Sequence, residues 1–195
     1  MKKALVIGGS GFMGSHTADE LSKNGYEVTI FDKKISPWIL NNQKIIIGDL
    51  MNLEELKKAA KGMDYIYHFA GVADIGEAKK NPYKTISMNV MGVINSLEAA
   101  IENGVKRFIF ASSMYVYSNQ GSFYRASKQA AETLIEAYAE ELGIEYTFLR
   151  FGSLYGPRSQ KWNGIRSFVE QILKNEKLVY GGNGLEMREY IHVFD

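Results

Sequence analysis

Short apolar runs alternate with amphipathic stretches along most of this 195-residue chain. Apolar runs bounded by turn residues predict buried strands, and apolar positions recurring every three or four residues predict helices. The predicted strands cover residues 4–7, 27–31, 44–47, 65–69, 107–111 and 145–150. Because helical stretches separate most of these strands, the pattern predicts right-handed crossovers and an α/β fold with a doubly wound parallel sheet.

The helices are predicted from their caps as well as from their periodicity. One begins near Phe12 and ends at Gly25, which suits a left-handed C-terminal cap. Asn52 and Glu55 form a capping box for the next helix. A third helix should bury one stripe of side chains, and a fourth, which ends at Gly143, should pack along one face. The stripe consists of Ile86, Val90, Ile94, Leu97 and Ile101, and the packing face of Ala131, Leu134, Ile135, Tyr138 and Leu142.

A glycine turn joins the first predicted strand to the first helix. Gly8, Gly11 and Gly14 stand at G-x-x-G-x-x-G spacing. Gly8 permits a sharp turn, Gly11 lets backbone approach a pyrophosphate, and Gly14 lets the helix pack closely on its strand. The amide groups of Phe12 and Met13 at the helix N-terminus then face the phosphates. The strand before the turn, the helix after it and the acidic residue at the end of the next strand favour a dinucleotide site over an ordinary tight turn.

Asp32 follows the second strand, where a carboxylate can accept both hydroxyls of the adenosine ribose. The same carboxylate would repel a 2′-phosphate, so it favours NAD over NADP. Lys33 and Lys34 follow at once and weaken this discrimination, and a solvated turn aspartate is the alternative interpretation.

Three side chains with complementary chemistry are predicted to meet at one edge of the sheet. Tyr124 and Lys128 are four residues apart on a helix and share one face, and Ser113 follows the fifth strand. The ordinary pKa of tyrosine, about 10, makes it a poor base at neutral pH. A nearby ammonium and the positive nicotinamide of an oxidised cofactor would favour the phenolate. Ser113 could hydrogen-bond the reacting substrate oxygen, and Lys128 could also hold the nicotinamide ribose.

The composition of the chain argues against several classes of function. A formal net charge of +1, with scattered Lys and Arg, gives no reason to expect nucleic-acid binding. The chain has no cysteine, so it has no thiol nucleophile and no thiolate metal site. His68 has no partner at ligand spacing, so we expect a satisfied core residue and no metal site. No apolar stretch approaches the roughly 18 residues of a membrane span, and the expected location is the cytoplasm.

An ordered set of motifs carries a resemblance to a known family. The matching segments are residues 8–14, 48–50, 68–71, 89–92, 97–100, 112–117, 124–128, 149–157 and 188–193. The sequence resembles the extended short-chain dehydrogenase/reductases, in particular their NAD-dependent sugar epimerase/dehydratase group, nearly from end to end. This resemblance implies a Rossmann fold, an NAD cofactor and a nucleotide-sugar substrate, with a UDP-sugar as the leading candidate.

The resemblance also implies which residues contact the substrate. Ser113, Tyr124 and Lys128 match the catalytic residues, and Ser113 and Tyr124 also contact the sugar. Ser153 stands where many members have an asparagine that touches the substrate's phosphates. Arg188 matches an arginine aimed at the pyrophosphate, a role that suits a guanidinium fork, and a surface arginine is the alternative.

The cofactor residues implied by the resemblance extend beyond the glycine turn. Asp49 matches the residue that meets the adenine, and residues 69–71 and Asn89 match residues that line the cofactor. In full, the expected cofactor-binding residues are Gly8, Gly11, Phe12, Met13, Gly14, Asp32, Asp49, Leu50, Phe69, Ala70, Gly71, Asn89, Tyr124 and Lys128.

Departures from the family pattern narrow the implied reaction. Met114 and Tyr115 occupy the positions of the Asp-Glu pair of the 4,6-dehydratases, and Tyr115 also replaces the glutamate of the nucleotide-sugar decarboxylases. The fucose-forming epimerase/reductases rely on a cysteine, which this chain lacks. Epimerisation by transient oxidation to a ketosugar remains, as in enzymes of the UDP-glucose 4-epimerase type. A non-catalytic NAD-binding module and an NAD(P)-dependent carbonyl reductase are the alternatives.

The expected organisation is an NAD-binding Rossmann domain over residues 1–157, followed by a partial substrate-binding or lid segment over 158–195 that packs on the same domain. In that segment we expect a helix near 165–174, a strand at 178–180 and a glycine turn at 181–184. Family members continue well beyond the last motif, so we expect a fragment, or a compact form whose pocket a partner subunit completes. Exposed apolar surface where the remainder would pack predicts a homodimer.

Overall fold

A six-stranded sheet forms the centre of the fold. The computed structural model describes residues 1–175 and 177–195. The strands are β1 (Lys3–Ile7), β2 (Glu27–Asp32), β3 (Lys44–Ile47), β4 (Tyr65–His68), β5 (Arg107–Ser113) and β6 (Glu145–Phe151). Their spatial order is β3-β2-β1-β4-β5-β6, and the neighbouring pairs from β3 to β5 are parallel. The predicted doubly wound α/β fold of Rossmann type is confirmed, because the chain starts at the centre of the sheet and winds out to both sides.

Helices occupy most connections between the strands. They are α1 (Phe12–Lys23), α2 (Leu53–Ala60), α3 (Ile75–Lys80), α4 (Pro82–Ile86), α5 (Gly92–Glu102), α6 (Ser122–Leu142) and α7 (Gly164–Asn175). A π-helical turn, Ser87–Met91, joins α4 to α5, and a 3₁₀ turn, Met114–Tyr117, follows β5. The predicted capping box is confirmed, since the side chain of Asn52 accepts the Glu55 N–H at 3.3 Å and donates to the Glu55 carboxylate at 2.9 Å.

The core lies on both faces of the sheet. Because side chains alternate along a strand, Leu5 and Ile7 of β1 face one cluster and Val6 faces the other. The larger cluster also includes Phe31, Leu56, Ile66, Leu97, Phe108, Phe110 and Ile135. The smaller cluster also includes Ala18, Val28 and Ile30.

Two predicted helix faces need correction. The π-helical turn adds a residue to one turn, so the buried face of the helix rotates away from the predicted stripe. Ile86 precedes this turn and is 39% exposed, while Leu97, which follows it, is buried as predicted. In α6, Leu142 is 55% exposed because it lies in the last turn of the helix. The buried positions of the α4–α5 stretch are mostly small or polar, namely Thr85, Asn89, Gly92, Val93, Ser96, Leu97, Ala99 and Ala100.

Internal packing divides the chain into two compact units, Met1–Arg150 and Phe151–Asp195. In the second unit, β7 (Ser153–Tyr155) pairs in parallel with β8 (Tyr190–His192), and α7 confirms the helix expected at 165–174. The predicted segment 158–195 includes residue 176, which lies outside the described residues.

The strand predicted at residues 178–180 is wrong. These residues have no regular secondary structure, and the side chains of Leu178, Val179 and Tyr180 are 45–67% exposed. A strand needs a neighbour that pairs with its backbone and covers one of its faces. Among the described residues no strand pairs with this segment, so its apolar composition does not produce a strand.

Two further findings concern the described residues alone. In residues 1–175 and 177–195, no helix combines the length and the apolar character needed to cross a membrane. Within the same residues, no three His, Cys, Asp or Glu side chains group closely enough to hold a metal ion.

His68 is a titratable group enclosed in the core. Its side chain is 0% exposed, and its ring centroid lies 5.7 Å from that of Phe108 and 5.9 Å from that of Phe110. The expected core position is confirmed, and within the described part of the chain the one polar group that acts on the ring by hydrogen bonding is the Ala70 backbone, although the geometry is too poor for a full hydrogen bond. Burial, together with the charge of Lys128, lowers the pKa of His68 to about 3.

This buried imidazole should make stability depend on pH. The unfolded chain binds the proton below the ordinary pKa of 6.5, whereas the folded chain binds it only near pH 3. Stability from this group is therefore complete above pH 6.5 and is lost as the pH falls. Between about pH 7.5 and about pH 5 we expect His68 to account for a loss of about 2 kcal/mol. Chemical denaturation of wild type and His68→Phe at both pH values measures this loss of stability. An equal loss in the two proteins would contradict its assignment to His68.

Candidate functional site

The turn after β1 contains three glycines with different surroundings. Gly8 has φ +82°, and a Cβ there would lie 2.6 Å from the Ala70 nitrogen. A Cβ at Gly14 would lie 2.3 Å from the Gly8 carbonyl oxygen, so the chain itself requires glycine at both positions. At Gly11 the nearest atom to a Cβ would be the same oxygen at 3.2 Å, a tight contact but a less severe one than at Gly8 or Gly14. Gly11 therefore also fits a position where a ligand approaches the backbone.

The N-terminus of α1 opens onto this turn. Its N-cap is Gly11, which offers no side-chain cap, and within the described chain no acidic residue lies in the first turn of this helix. The N–H groups of Phe12 and Met13 have no acceptor inside the helix, and they carry the positive end of the helix dipole. The Phe12 side chain is only 5% exposed, so this residue can serve a ligand through its backbone. The turn and the helix end together fit a pyrophosphate.

The carboxylate of Asp32 is fixed at the end of β2. Its Oδ2 accepts the Ser10 N–H at 3.0 Å, and its Oδ1 accepts the Lys34 N–H at 3.1 Å. Each oxygen keeps a lone pair that a ribose hydroxyl can use. The Nζ of Lys33 lies 3.2 Å from the Oδ1 of Asp49. Of the two lysines that weakened the expectation of NAD, Lys33 is thus paired within the chain.

Asp49 and Leu50 follow β3 and differ in exposure. The hydrogen bond from the Met51 N–H, with a further contribution from Lys33, lowers the pKa of the Asp49 carboxyl group, so this group is ionised at neutral pH. Leu50 is only 3% exposed and packs against Gly92, where a Cβ would lie 2.5 Å from its Cδ2. The contact of Asp49 with adenine and the contact of Leu50 with the cofactor stay predictions.

Asn89, in the π-helical turn, holds the segment that follows β4. Its side chain is 1% exposed, and its Oδ1 accepts the Val72 N–H at 2.7 Å. Its Nδ2 donates to the Val72 carbonyl and to the Ser127 hydroxyl, both at 2.9 Å. At Gly71, with φ +145°, a Cβ would lie 2.5 Å from the Asn89 Oδ1. These contacts give Asn89 a role in positioning residues 69–71.

Residues 69–71 lie beside the glycine turn. The N–H groups of Phe69 and Ala70 both donate to the Ile7 carbonyl, at 2.8 and 3.1 Å. The predicted cofactor segments that follow β1 and β4 are therefore neighbours at the carboxyl edge of the sheet. Ligands bind at this edge in folds of this type.

Ser113, Tyr124 and Lys128 converge in the structure. Ser113 is the last residue of β5, and its hydroxyl lies close enough to the phenol of Tyr124 to lower the pKa of that phenol. The Nζ of Lys128 lies 5.9 Å from the centroid of the Tyr124 ring and 4.5 Å from that of Phe110. The same Nζ donates to the Ala111 carbonyl at 2.6 Å. Strand β5 and helix α6 thus bring together the residues expected to be catalytic.

Burial dominates the electrostatics of this group. Lys128 is only 7% exposed, and burial lowers its pKa to about 8 against the opposing effect of the Glu132 carboxylate. Burial also raises the pKa of Tyr124, although the hydrogen bond from Ser113 acts in the opposite direction. The ammonium alone therefore does not bring the phenol into its working range, and in the chain by itself Tyr124 is protonated at neutral pH.

Glu132 is a residue of this region that the sequence patterns did not single out. It is 8% exposed, and its carboxylate accepts hydrogen bonds from Ser112 and Arg150. The available signal is its spacing, because Tyr124, Lys128 and Glu132 follow one another at intervals of four residues on one helix face.

Ser153 and Arg188 lie in the second unit. Ser153 is the first residue of β7, and its N–H donates to the Glu189 carbonyl at 3.0 Å. Arg188 directly precedes Glu189 and is exposed. The pairing of β7 with β8 therefore brings these two residues near each other, and their contact with a substrate stays a prediction.

The chain is similar to several known proteins. UDP-glucuronic acid decarboxylase 1 of Xenopus tropicalis is 29% identical to it over 221 residues, which covers 100% of this chain and 51% of that protein. A UDP-glucose 4-epimerase structure from Thermotoga maritima with UDP-glucose matches with a TM-score of 0.92 at 28% identity, covering 98% of this chain and 70% of that one. A UDP-glucuronic acid 4-epimerase from Bacillus cereus, in complex with UDP-glucuronic acid and NAD, matches with a TM-score of 0.90 at 26% identity. This match covers 98% of this chain and 69% of that one.

These matches extend over nearly the whole of this chain but over only part of its relatives. The chain spans about half the length of the Xenopus relative and about seven-tenths of the two solved structures. A family model described as the NAD dependent epimerase/dehydratase family matches residues 4–195. Since this match includes almost every residue, the chain belongs to the NAD dependent epimerase/dehydratase family.

Proposed function

We propose that this chain is the core of an NAD-dependent nucleotide-sugar epimerase, an isomerase that works by transient oxidation of the sugar to a ketosugar. The observation that carries the proposal is the meeting of Ser113, Tyr124 and Lys128, in the same compact unit as the glycine turn. Two structural relatives are named as 4-epimerases of UDP-glucose and UDP-glucuronic acid, which supports a UDP-sugar as the substrate.

We infer that the cofactor is NAD. Residues 8–14 fit its pyrophosphate, the carboxylate of Asp32 fits the hydroxyls of its adenosine ribose, and we assign Asp49 to its adenine. When bound, NAD supplies the hydride acceptor and donor for the reaction and a positively charged ring. Because Lys33 is paired with Asp49 and Asp32 is anionic, a 2′-phosphate would meet repulsion, which favours NAD over NADP.

Each catalytic residue has a defined chemical role in this proposal. The phenolate of Tyr124 accepts the proton of a sugar hydroxyl and returns it when the hydroxyl is restored with inverted configuration. Ser113 hydrogen-bonds the reacting oxygen, and Lys128 favours the phenolate through its charge and holds the nicotinamide ribose. Ser113 and Lys128 are buried and Tyr124 is partly buried, which limits water and strengthens these electrostatic interactions.

Tyr115 favours epimerisation over the decarboxylation named for one relative. Its ring packs edge-on against Tyr124, with the centroids 6.2 Å apart. A phenol ring therefore stands where the resemblance expects a decarboxylase to carry a glutamate.

NAD binding without turnover would favour a non-catalytic module, and net consumption of NADH would favour a carbonyl reductase.

The remaining parts of the proposal concern substrate capture and assembly. We assign Ser153 and Arg188 to the phosphates of the sugar nucleotide, because a hydroxyl and a guanidinium fork both suit phosphate oxygens. A homodimer is supported by the exposure of large apolar side chains in the second unit, where Leu173 is 79% and Met187 96% exposed. The cytoplasmic location stays a prediction.

Two glycine substitutions separate cofactor binding from folding. Gly11→Ala should lower NAD affinity at least about tenfold, because the methyl group occupies the space that the pyrophosphate needs, and should lower the melting temperature less than Gly14→Ala does. Gly14→Ala should instead destabilise the fold, since its Cβ would lie 2.3 Å from a backbone oxygen. Calorimetric NAD titration and thermal melts measure both effects. Unchanged NAD affinity in a folded Gly11→Ala protein would contradict the assignment.

Removal of one phenol tests the catalytic assignment. With NAD and a panel of UDP-sugars, the wild type should form an epimer, measurable by chromatography of the sugar nucleotides. Tyr124→Phe should lower kcat by at least about a hundredfold with NAD affinity retained, because the ring stays but the proton acceptor is lost. Tyr138→Phe, the same change farther along α6, is the matched control and should leave turnover unchanged. Full activity of the Tyr124→Phe variant would exclude Tyr124 as the catalytic base.

Assembly can be measured separately by sedimentation equilibrium. The molar mass measured for the wild type should be twice the chain mass of 21.9 kDa. A double change, Leu173→Glu with Met187→Glu, should favour the monomer, because charged groups would replace exposed apolar ones at the contact. Ile47→Glu, at an exposed apolar residue of the first unit, is the control. A wild type that stays monomeric at high micromolar concentration would rule out the homodimer.

A further inference from the structure

Glu132 continues the helical stripe that carries Tyr124 and Lys128. The three residues are spaced four apart on α6, so they share one helix face. Glu132 is 8% exposed, which is unusual for a carboxylate. The reaction proposed above assigns it no proton and no substrate contact, so its burial has another reason.

The carboxylate of Glu132 is bound from two strands at once. Its Oε1 accepts the Ser112 hydroxyl at 2.5 Å and the Arg150 Nε at 3.0 Å, and its Oε2 accepts the Arg150 Nη2 at 2.8 Å. Two parallel N–H···O bonds between a guanidinium and a carboxylate fix both groups in distance and in angle. Helix α6 is thereby joined at one point to β5 and to β6.

Arg150 extends this connection to the turn that follows β5. Its Nη1 donates to the Tyr117 hydroxyl, and its guanidinium carbon lies 4.9 Å from the Tyr117 ring centroid and 5.4 Å from that of Phe148. Ser112 and Tyr117 flank the stretch that begins with Ser113. Both ends of the stretch beside the catalytic phenol are therefore held by the same ion pair.

In this ion pair the carboxylate is buried, whereas the Arg150 side chain is 33% exposed. The cost of removing the carboxylate from water offsets much of the attraction, so we expect the pair to contribute orientation more than stability. A side-on fork does, however, set the register of a helix against a strand, which apolar contacts do less strictly.

The surroundings of Lys128 give the carboxylate a second effect. The groups that face the ammonium are Glu132 and Tyr124 from α6, His68 from β4 and the Ala111 carbonyl from β5. His68 is neutral above its low pKa of about 3, and the Tyr124 phenol is protonated in the chain alone. The negative charge that favours the ammonium therefore comes from Glu132.

We propose that Glu132 and Arg150 are positioning residues of this site, whose fork fixes Lys128 and Ser113 relative to Tyr124 and whose carboxylate keeps Lys128 charged. This inference rests on the proposed function. The effect of Glu132 on the charge of Lys128 can, however, be measured without any substrate.

The first measurement is an NMR titration of the chain labelled with ¹³C at the lysine Cε. The Lys128 signal, identified by its loss in Lys128→Arg, should titrate near the pKa of about 8 in the wild type. In Glu132→Gln this pKa should be lower, because the opposing charge is removed. Glu145→Gln, which breaks the 2.6 Å ion pair with Arg107 at the opposite ends of the same two strands, is the matched control and should leave it unchanged. An unchanged Lys128 pKa in folded Glu132→Gln overturns the proposal.

The second measurement is the pH profile of epimerisation. In Glu132→Gln, kcat should fall at least about tenfold with KM for the sugar nucleotide within about threefold, and the alkaline limb should move to lower pH. Glu132→Asp should recover part of the loss. Arg150→Lys keeps the charge but lacks the fork, so kcat should fall with little change in the Lys128 pKa. This variant carries the test if Glu132→Gln does not fold.

The outcomes distinguish this inference from the proposed function. If kcat falls no further in Glu132→Gln than in Glu145→Gln, the positioning role is overturned. A wild type that binds NAD but converts no UDP-sugar overturns the proposed function, and the NMR titration still decides whether Glu132 holds the charge of Lys128.

Discussion

The burial of the Lys128 ammonium is the constraint on which the site depends. Removing a charge from water is costly unless the protein supplies partners for it. Here the partners are the Ala111 carbonyl at 2.6 Å, the face of the Phe110 ring at 4.5 Å and the carboxylate of Glu132 one helical turn away. The first two belong to β5 and the third to α6. Accommodating one charge therefore fixes the helix that carries Tyr124 against the strand that ends in Ser113.

The other half of the site follows from the order of the strands. Because β1 lies between β2 and β4, the turns that leave these strands meet at one edge of the sheet. Close backbone approach at Gly8 and Gly14 keeps the turn after β1 compact, and the amide of Asn89 keeps the segment after β4 beside it. The turn proposed to bind the dinucleotide and the three residues proposed to be catalytic thus belong to elements of one sheet fold.

Much of the fold was predictable because its signals are local. The glycine turn, the capping box at Asn52 and the apolar runs each depend on neighbours in sequence, and all three indicate the same fold. The features that sequence patterns did not give depend on distant partners. The π-helical turn places Asn89 against Val72, Glu132 meets Arg150 from another strand, and residues 178–180 have no pairing strand among the described residues. The proximity of Ser113, Tyr124 and Lys128 was predictable from sequence, but the raised pKa of Tyr124 was not, because it depends on burial.

A crystal structure of the chain with NAD tests the central claim most directly. The account predicts a pyrophosphate on the amide groups of Phe12 and Met13, and a nicotinamide ring within about 4 Å of the Tyr124 hydroxyl. It also predicts that Lys128 reaches the adjoining ribose. A cofactor bound with its nicotinamide away from Tyr124 and Lys128, or no bound cofactor at saturating NAD, would contradict the account.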